Sequence, residues 1–251
     1  MTPRFNDKVV LIVGGNSGIG LAAAVAFAKE GARVVVTGRR REQLDEALRQ
    51  IGHDALAVQS DVSSLTDQRD LIRAVRRIAD RIDVLFVNAG YGAARPIEAA
   101  TEAHWDTEFA VNLKGMYFMI QSALPLMTAG SSILLTASLA AVKALPGLSI
   151  YSAAKAGVIA LGRCLAVELA ERGVRVNVVS PGPIDTGLLE RSSGIPADVL
   201  TSMKAEVAQH NPMKRWASSD EVAGIVLFLA SSEASFINGT NTFVDGGAET
   251  L

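Results

Sequence analysis

Tyr151 and Lys155 carry the clearest chemical reading in this 251-residue chain. They bracket the segment Tyr151-Ser152-Ala153-Ala154-Lys155, which starts a helix-like stretch and puts the two side chains one turn apart on one face. A phenol has a pKa near ~10 and is a poor base at neutral pH. A neighbouring ammonium favours the phenolate, and a shift of roughly 3 units corresponds to ~4 kcal/mol of differential interaction. The pair makes sense as a tuned acid/base, although any helix contains that spacing by chance. Upstream, Ser138 ends a strand-like run, where its hydroxyl is placed to hydrogen-bond the same reacting oxygen. Asn112 sits inside a long helix-like segment although Asn is a mediocre helix former. It reads either as a working residue or as an exposed or capping one.

A second feature is the turn Gly14-Gly15-Asn16-Ser17-Gly18-Ile19-Gly20, entered directly from the apolar run Lys8-Val-Val-Leu-Ile-Val13 and opening a helix. Glycines there let the chain turn sharply, admit a phosphate close to the backbone and allow tight helix–strand contact. The helix N-terminus offers free N–H groups and partial positive charge to a pyrophosphate. The spacing is neither the common G-x-G-x-x-G nor a P-loop, so the turn points to a nucleotide only through its place after the first strand. The end of the second strand bears on which nucleotide. An NAD-specific protein places an acid there to hold both ribose hydroxyls. This chain instead reads Thr37-Gly38-Arg39-Arg40-Arg41 before its first acid, Glu42. Arginines match a 2′-phosphate in shape and charge where a carboxylate repels it, so NADP is expected over NAD. Arg41 alone also reads as a solvated residue opening the next helix.

These residues need a scaffold, and the alternation of elements predicts one. Continuous β-branched runs fit strands buried on both faces, and they recur at Lys8–Val13, Arg33–Thr37, Ala55–Gln59, Ile82–Val87, Ser132–Thr136, Val174–Val179 and Thr242–Val244. Helix-like segments alternate with them at Gly20–Glu30, Arg41–Ile51, Leu65–Ala79, Glu102–Met127, Tyr151–Glu171 and Asp220–Ala230. The pattern predicts an α/β, doubly wound, seven-stranded parallel sheet with helices on both faces, as one domain over residues 1–251. Pro181 to Ser219 breaks the rhythm with Pro181, Pro183, Pro196 and Pro212 and no strand pattern. Within it, residues 187–211 carry Gly187, Gly194 and an amphipathic stretch of Val199, Leu200, Met203 and Val207. This part is expected to be a substrate lid.

Composition excludes several other classes. The chain is 49% apolar and 20% charged, too apolar for disorder, and its net charge of −2 provides no global field for nucleic acid or anionic lipid. The one cysteine, Cys164, lies among apolar neighbours and reads as a small core residue. His53, His104 and His210 are scattered and suggest no metal site. The basic run Arg73 to Arg81, interleaved with Ile72, Val75 and Ile78, fits a solvated helix face. The first residues, with Arg4, Asp7 and Lys8, lack the apolar core of a signal peptide, and the longest apolar stretch read from sequence, Val222 to Ala230, is short of a membrane span. The expectation is a soluble cytoplasmic protein.

Taken in order, Gly14-x-x-x-Gly18-Ile19-Gly20, Asp61-Val62, Asn88-Ala89-Gly90, Asn112, Ser138, Tyr151-x-x-x-Lys155 and Pro181-Gly182 with Thr186 resemble the short-chain dehydrogenase/reductase family over essentially the whole chain. The resemblance implies a sheet ordered 3-2-1-4-5-6-7 and a set of roles. Tyr151 exchanges a proton with the substrate oxygen, and Ser138 holds that oxygen. Lys155 binds the nicotinamide ribose and depresses the Tyr151 pKa, while Asn112 supports a water in a proton relay. Gly14, Asn16, Ser17, Gly18, Ile19 and Gly20 take the pyrophosphate, and Gly38, Arg39 and Arg40 border the adenosine ribose. Asp61 and Val62 contact adenine, Asn88, Ala89 and Gly90 support the cofactor, and Pro181, Gly182, Ile184 and Thr186 flank the nicotinamide.

The chain departs from the family pattern at Val13, where Thr is usual, and at Val87, where Asn is usual; a modest stability cost is expected. The implied activity is NADP(H)-dependent reduction of a small-molecule ketone, or oxidation of the alcohol. Leu139, Ala140, Val142, Leu148, Leu188 and Leu189 are expected to face the substrate and favour an apolar one. Two rivals remain at this level, a 3-oxoacyl-carrier-protein reductase and a non-catalytic NADP-sensing protein. Family resemblance also implies a homotetramer built through Glu102–Met127 and Tyr151–Glu171.

Overall fold

The computed structural model describes residues 3–52, 54–187 and 196–250. Seven strands, β1 (Val9–Val13), β2 (Arg33–Gly38), β3 (Leu56–Gln59), β4 (Val84–Val87), β5 (Ser132–Thr136), β6 (Arg175–Pro181) and β9 (Asn241–Val244), form one sheet ordered β3-β2-β1-β4-β5-β6-β9. Every neighbouring pair is parallel; Leu11, for example, lies between Val35 and Leu85. This is the expected Rossmann-like order, and the predicted strand runs agree with it to within two residues at each end.

The unbroken apolar runs have a direct cause: both faces of the sheet are covered. Val10, Ile12, Val34, Val36 and Phe86 point to a cluster shared with α1 (Gly18–Lys29), α2 (Arg41–Ile51) and α8 (Ser219–Ala230). Leu11, Val13, Val35, Leu85 and Val87 point to the opposite cluster, shared with α3 (Leu65–Arg76), α5 (Gly115–Ala123) and α6 (Ser149–Glu168). Alternate residues of one strand therefore feed two cores, which makes the runs largely apolar instead of alternating. Helix starts are fixed locally. Ser64 accepts from the Asp67 N–H, and Ser218 and Glu221 form a reciprocal capping box at α8.

Two expectations need correction. The single helix expected over Glu102–Met127 is instead α4 (Glu102–Phe109), a π-helical turn (Ala110–Lys114), α5 and a closing 3₁₀ turn (Leu124–Leu126). Pro125 in that last turn cannot continue an α-helix. Between Pro181 and Ser219, two-residue strands β7 (Ile184–Asp185) and β8 (Ala217–Ser218) pair in parallel, too short for any periodicity to reveal. The expected lid contains α7 (Ala197–His210), in which Leu200 is buried while Val199, Met203 and Val207 are exposed; Leu188 to Ile195, with Gly194, lie outside the described residues. One further point concerns α6. By length and composition it is apolar enough to cross a membrane. It packs instead on the sheet through Ala154, Val158, Gly162, Leu165 and Ala166.

Candidate active site

The carboxyl ends of β1, β2, β4, β5 and β6 meet at the point where strand order reverses, the usual crevice of an open α/β sheet. At β1 the chain turns through Gly14, at φ +81°, and the Gly14 and Gly15 N–H groups donate to the Thr37 carbonyl at 3.1 and 3.0 Å. A Cβ on Gly14 would lie 2.7 Å from the Ala89 backbone, and one on Gly20 would lie 2.0 Å from the Gly14 oxygen. Helix α1 follows with an extended Ser17 at its N-cap, no side-chain cap and no acid in its first turn, so its first N–H groups remain available to an anion. Ile19 packs beneath on the apolar cluster. Thr186, just past Ile184 of β7, reaches within 3.0 Å of where a Gly18 Cβ would stand. Gly182 holds its N–H on the Val244 carbonyl at 3.0 Å, immediately after buried Pro181.

At the end of β2, the space a Gly38 Cβ would need is taken by Asn16, whose Cγ would be 2.7 Å away and whose Nδ2 donates to Gln43 Oε1 at 2.8 Å. Arg39 and Arg40 are exposed; the Arg39 carbonyl accepts from Gln59 Nε2. Among the described residues neither arginine is ion-paired, whereas Arg41 pairs with Asp45. Asp61 accepts from the N–H and hydroxyl of Ser63, and the carbonyl of buried Val62 takes Gln68 Nε2 at 2.6 Å. Asn88 Nδ2 donates to the Gly14 carbonyl at 3.0 Å, and Thr136 Oγ1 donates to Asn88 Oδ1 at 3.1 Å. The two departures from the family pattern also lie here. The Val13 carbonyl braces the turn by accepting from the Asn88 and Ala89 N–H groups, and Val87 is fully buried in the core.

Ser138, Tyr151, Lys155 and Asn112 come together on the other side of the crevice. Ser138 follows β5, accepts from the Ala140 N–H and hydrogen-bonds the Tyr151 phenol. Lys155 is buried with Nζ donating to the Thr136 carbonyl at 2.7 Å, 5.8 Å from the Tyr151 ring centre. Asn112 occupies the π-helical turn, a feature that tends to mark functional positions in helices. Its Oδ1 accepts from the Tyr91 N–H at 3.1 Å, and its Nδ2 donates to the Tyr91 carbonyl at 2.6 Å and Glu108 Oε2 at 2.8 Å. Gly90 separates the two inner members: a Cβ there would sit 3.3 Å from Asn112 Oδ1 and 3.5 Å from Lys155 Nζ. Gly92 lies equally close to the Tyr151 ring.

The electrostatics correct one expectation. Lys155 was expected to depress the Tyr151 pKa, but burial of the phenol pushes it up, against the pull of the Ser138 hydrogen bond and with the Glu108 charge adding to the rise. Burial brings Lys155 itself down to about 8, opposed by Glu108. Lys155 is committed to the Thr136 carbonyl, and desolvation dominates both groups.

Other expected residues fall as follows. Leu139 and Ala140 are buried, Leu148 is half-buried and Val142 is exposed; Leu188 and Leu189 lie outside the described residues. Cys164 is exposed, contrary to the core reading, because α6 buries the stripe through Gly162, Leu165 and Ala166 and turns Cys164 away. His210 is exposed, His53 lies outside the described residues, and no cluster of three or more His, Cys, Asp or Glu forms a metal site among the described residues. Arg73, Arg76 and Arg77 are exposed on α3 and just past it. The sequence reading missed Thr136, Gly92, Gln43 and above all buried Glu108, whose only signal is its spacing of four from both His104 and Asn112.

A family model described as enoyl-(acyl carrier protein) reductase matches residues 13–249. Oxidoreductase asL5 of Sarocladium schorii is 42% identical over 246 residues, covering 97% of this chain and 96% of its own. Levodione reductase of Leifsonia aquatica is 37% identical over 256 residues, covering 98% and 96%. A solved short-chain dehydrogenase/reductase of Brucella melitensis, described as glucose/ribitol dehydrogenase, superposes with a TM-score of 0.91 at 32% identity over 99% of each chain. The chain belongs to the short-chain dehydrogenase/reductase family. Members of this family are oxidoreductases that generally bind nicotinamide cofactors, and this member's crevice suits one. Its glycine positions leave no room for a Cβ, and the α1 N-terminus is uncapped by any side chain.

Proposed function

We propose that this short-chain dehydrogenase/reductase is an NADP(H)-dependent reductase of apolar ketones, working in reverse as a secondary-alcohol dehydrogenase. The observation that carries the reading is the Tyr151 phenol, bonded by Ser138 and backed by buried Lys155 and Asn112, beside the open α1 N-terminus. When bound, the nicotinamide supplies or accepts the hydride. Ser138 and Tyr151 hold the carbonyl oxygen, and Tyr151 gives it a proton. A raised phenol pKa keeps that proton in place at neutral pH, which suits the reducing direction. Lys155 holds the ribose and, with its pKa near about 8, exchanges a proton close to physiological pH. Asn112, fixed by three hydrogen bonds, supports the relay water.

NADP is proposed over NAD because Gly38 carries no carboxylate and Arg39 is exposed beside it. Leu139, Ala140 and Leu148 favour an apolar substrate, and the name of the relative levodione reductase is consistent with a carbonyl one. The carrier-protein alternative needs a basic rim, for which Arg172 and Arg191 are the candidates; Arg172 donates to the Leu124 carbonyl, and Arg191 lies outside the described residues. The reading includes a homotetramer, supported by exposed Trp105, Tyr117 and Val167 on α4, α5 and α6, and checked by sedimentation. The deciding experiment measures oxidation of NADPH and of NADH with cyclic and aryl ketones and with a 3-oxoacyl thioester. Turnover of the ketones with NADPH is expected. Turnover of the thioester alone transfers the chain to the carrier-protein alternative, and none with any substrate leaves the sensing role.

A further inference from the structure

Glu108 is a fully buried carboxylate that the roles given so far do not use. It lies on α4, four residues before Asn112. Oε1 accepts from the Ala93 N–H at 2.9 Å and Oε2 accepts from Asn112 Nδ2 at 2.8 Å, so both oxygens face donors. From its own helix, His104 approaches with Nε2 3.4 Å from Oε1; neither ring nitrogen of this buried histidine makes a hydrogen bond among the described residues. From α6, Lys155 and Tyr151 feel its charge, which favours protonation of both. A buried carboxylate is costly unless paired and hydrogen-bonded. Its charge acts on Lys155, whose Nζ and the Asn112 Oδ1 both lie close to Gly90.

We infer that Glu108 is a positioning residue for the reaction: it locks the Asn112 amide and the turn at residues 91–93, and it supplies the buried negative charge that keeps Lys155 a cation beside Tyr151. The inference rests on the reading of Tyr151 and Lys155 given above, and it makes the working unit five residues rather than four. A Gln at this position cannot replace the acid. One of its two terminal atoms is an NH₂ that would confront either the Ala93 N–H or the Asn112 NH₂.

The test is an NMR titration of the Lys155 side chain in the unloaded protein, with its signal assigned through Lys155→Met. In the wild type the midpoint is expected near about 8. In Glu108→Gln it should fall by roughly one pH unit, the low end of what one neighbouring charge does. Glu108→Asp, which keeps the charge but withdraws it, should fall by less. A midpoint equal to the wild type's in Glu108→Gln, or in Glu108→Asp should the Gln protein fail to fold, overturns the proposal. So does a loss of thermal stability unaccompanied by any shift. This readout needs neither cofactor nor ketone, so absence of ketone turnover in the wild type would defeat the proposed function while leaving the Glu108 result to stand or fall separately.

Discussion

On the β1–β3 side of the crevice, the chain makes its site by leaving atoms out. A side chain at Gly14, Gly20 or Gly38 would meet the Ala89 backbone, the Gly14 oxygen or Asn16 at 2.7, 2.0 and 2.7 Å. On the β4–β6 side it puts charged and polar groups in. Lys155, Glu108 and Asn112 are all buried, each tied to fixed backbone or side-chain partners. The first region costs the fold little, since a tight glycine turn buries no charge. The second is expensive, because desolvation of an ammonium and a carboxylate opposes folding. The nucleotide side should therefore fail when something is added, and the reacting side when something is removed. Replacing the buried ammonium alone by an apolar side chain should also raise stability, because its lowered pKa of about 8 already includes the attraction of Glu108.

The largest effect expected is at Tyr151. Positioned acid/base catalysis contributes roughly 10²–10⁴-fold, so Tyr151→Phe should lose at least that order in kcat. Nucleotide binding, followed by fluorescence, should persist, because the glycine turn is untouched. Retention of more than about a tenth of the wild-type rate would be incompatible with the proton-donor role.

Lys155→Met separates function from stability. The folded-state pKa of Lys155, about 8, lies below its ordinary value of 10.5. The native protein therefore binds fewer protons than the unfolded chain between those pH values, and wild-type stability rises as pH climbs through that window. Below about pH 8 the buried cation carries its full penalty, about 3 kcal/mol. Losing the hydrogen bond to Thr136 returns about 1 kcal/mol. Lys155→Met should be inactive yet more stable by about 2 kcal/mol at neutral pH, an increase of roughly 4–8 °C in Tm. The gain should shrink between about pH 8 and pH 10.5. A lower Tm at neutral pH would show that the ammonium is a net stabiliser.

The same contrast decides what was legible in the sequence. Absence of side chains leaves a mark in the letters: Gly14, Gly18 and Gly20 are visible as a motif, and β-branched runs betray strands buried on two faces. Buried charge leaves none. Glu108 stands in Trp105-Asp106-Thr107-Glu108, where Asp106 is exposed on the next face, and only packing tells the two acids apart. The π-helical turn at Asn112 is a property of backbone bonding with no residue signature, so the pattern reads as one long helix. Cys164 misleads for the reverse reason: its apolar neighbours line the stripe that α6 buries, and the cysteine itself faces outward. The depressed Tyr151 pKa fails as an expectation because spacing reports proximity and not desolvation.

The smallest effect lies at the rim of the nucleotide side, the one place there where an added group works by attraction. Gly38 presents no carboxylate, and the exposed Arg39 beside it is unpaired among the described residues, free to meet a 2′-phosphate. A charge-assisted hydrogen bond contributes roughly 1.5–3 kcal/mol, and about 1.4 kcal/mol is a factor of ten. One such contact should give kcat/KM at least about tenfold higher for NADPH than for NADH, and Arg39→Leu should bring the ratio close to one. An acid placed at residue 38 is a poorer test, because its Cβ would displace Asn16 and the bond to Gln43. Raising ionic strength should narrow the wild-type preference, since exposed charges are screened within about 10 Å at 0.1 M salt; a buried contact would keep it. An Arg39→Leu protein with the wild-type ratio would assign the preference to another group, and Arg40, which opens α2 with its side chain exposed, is the next to change.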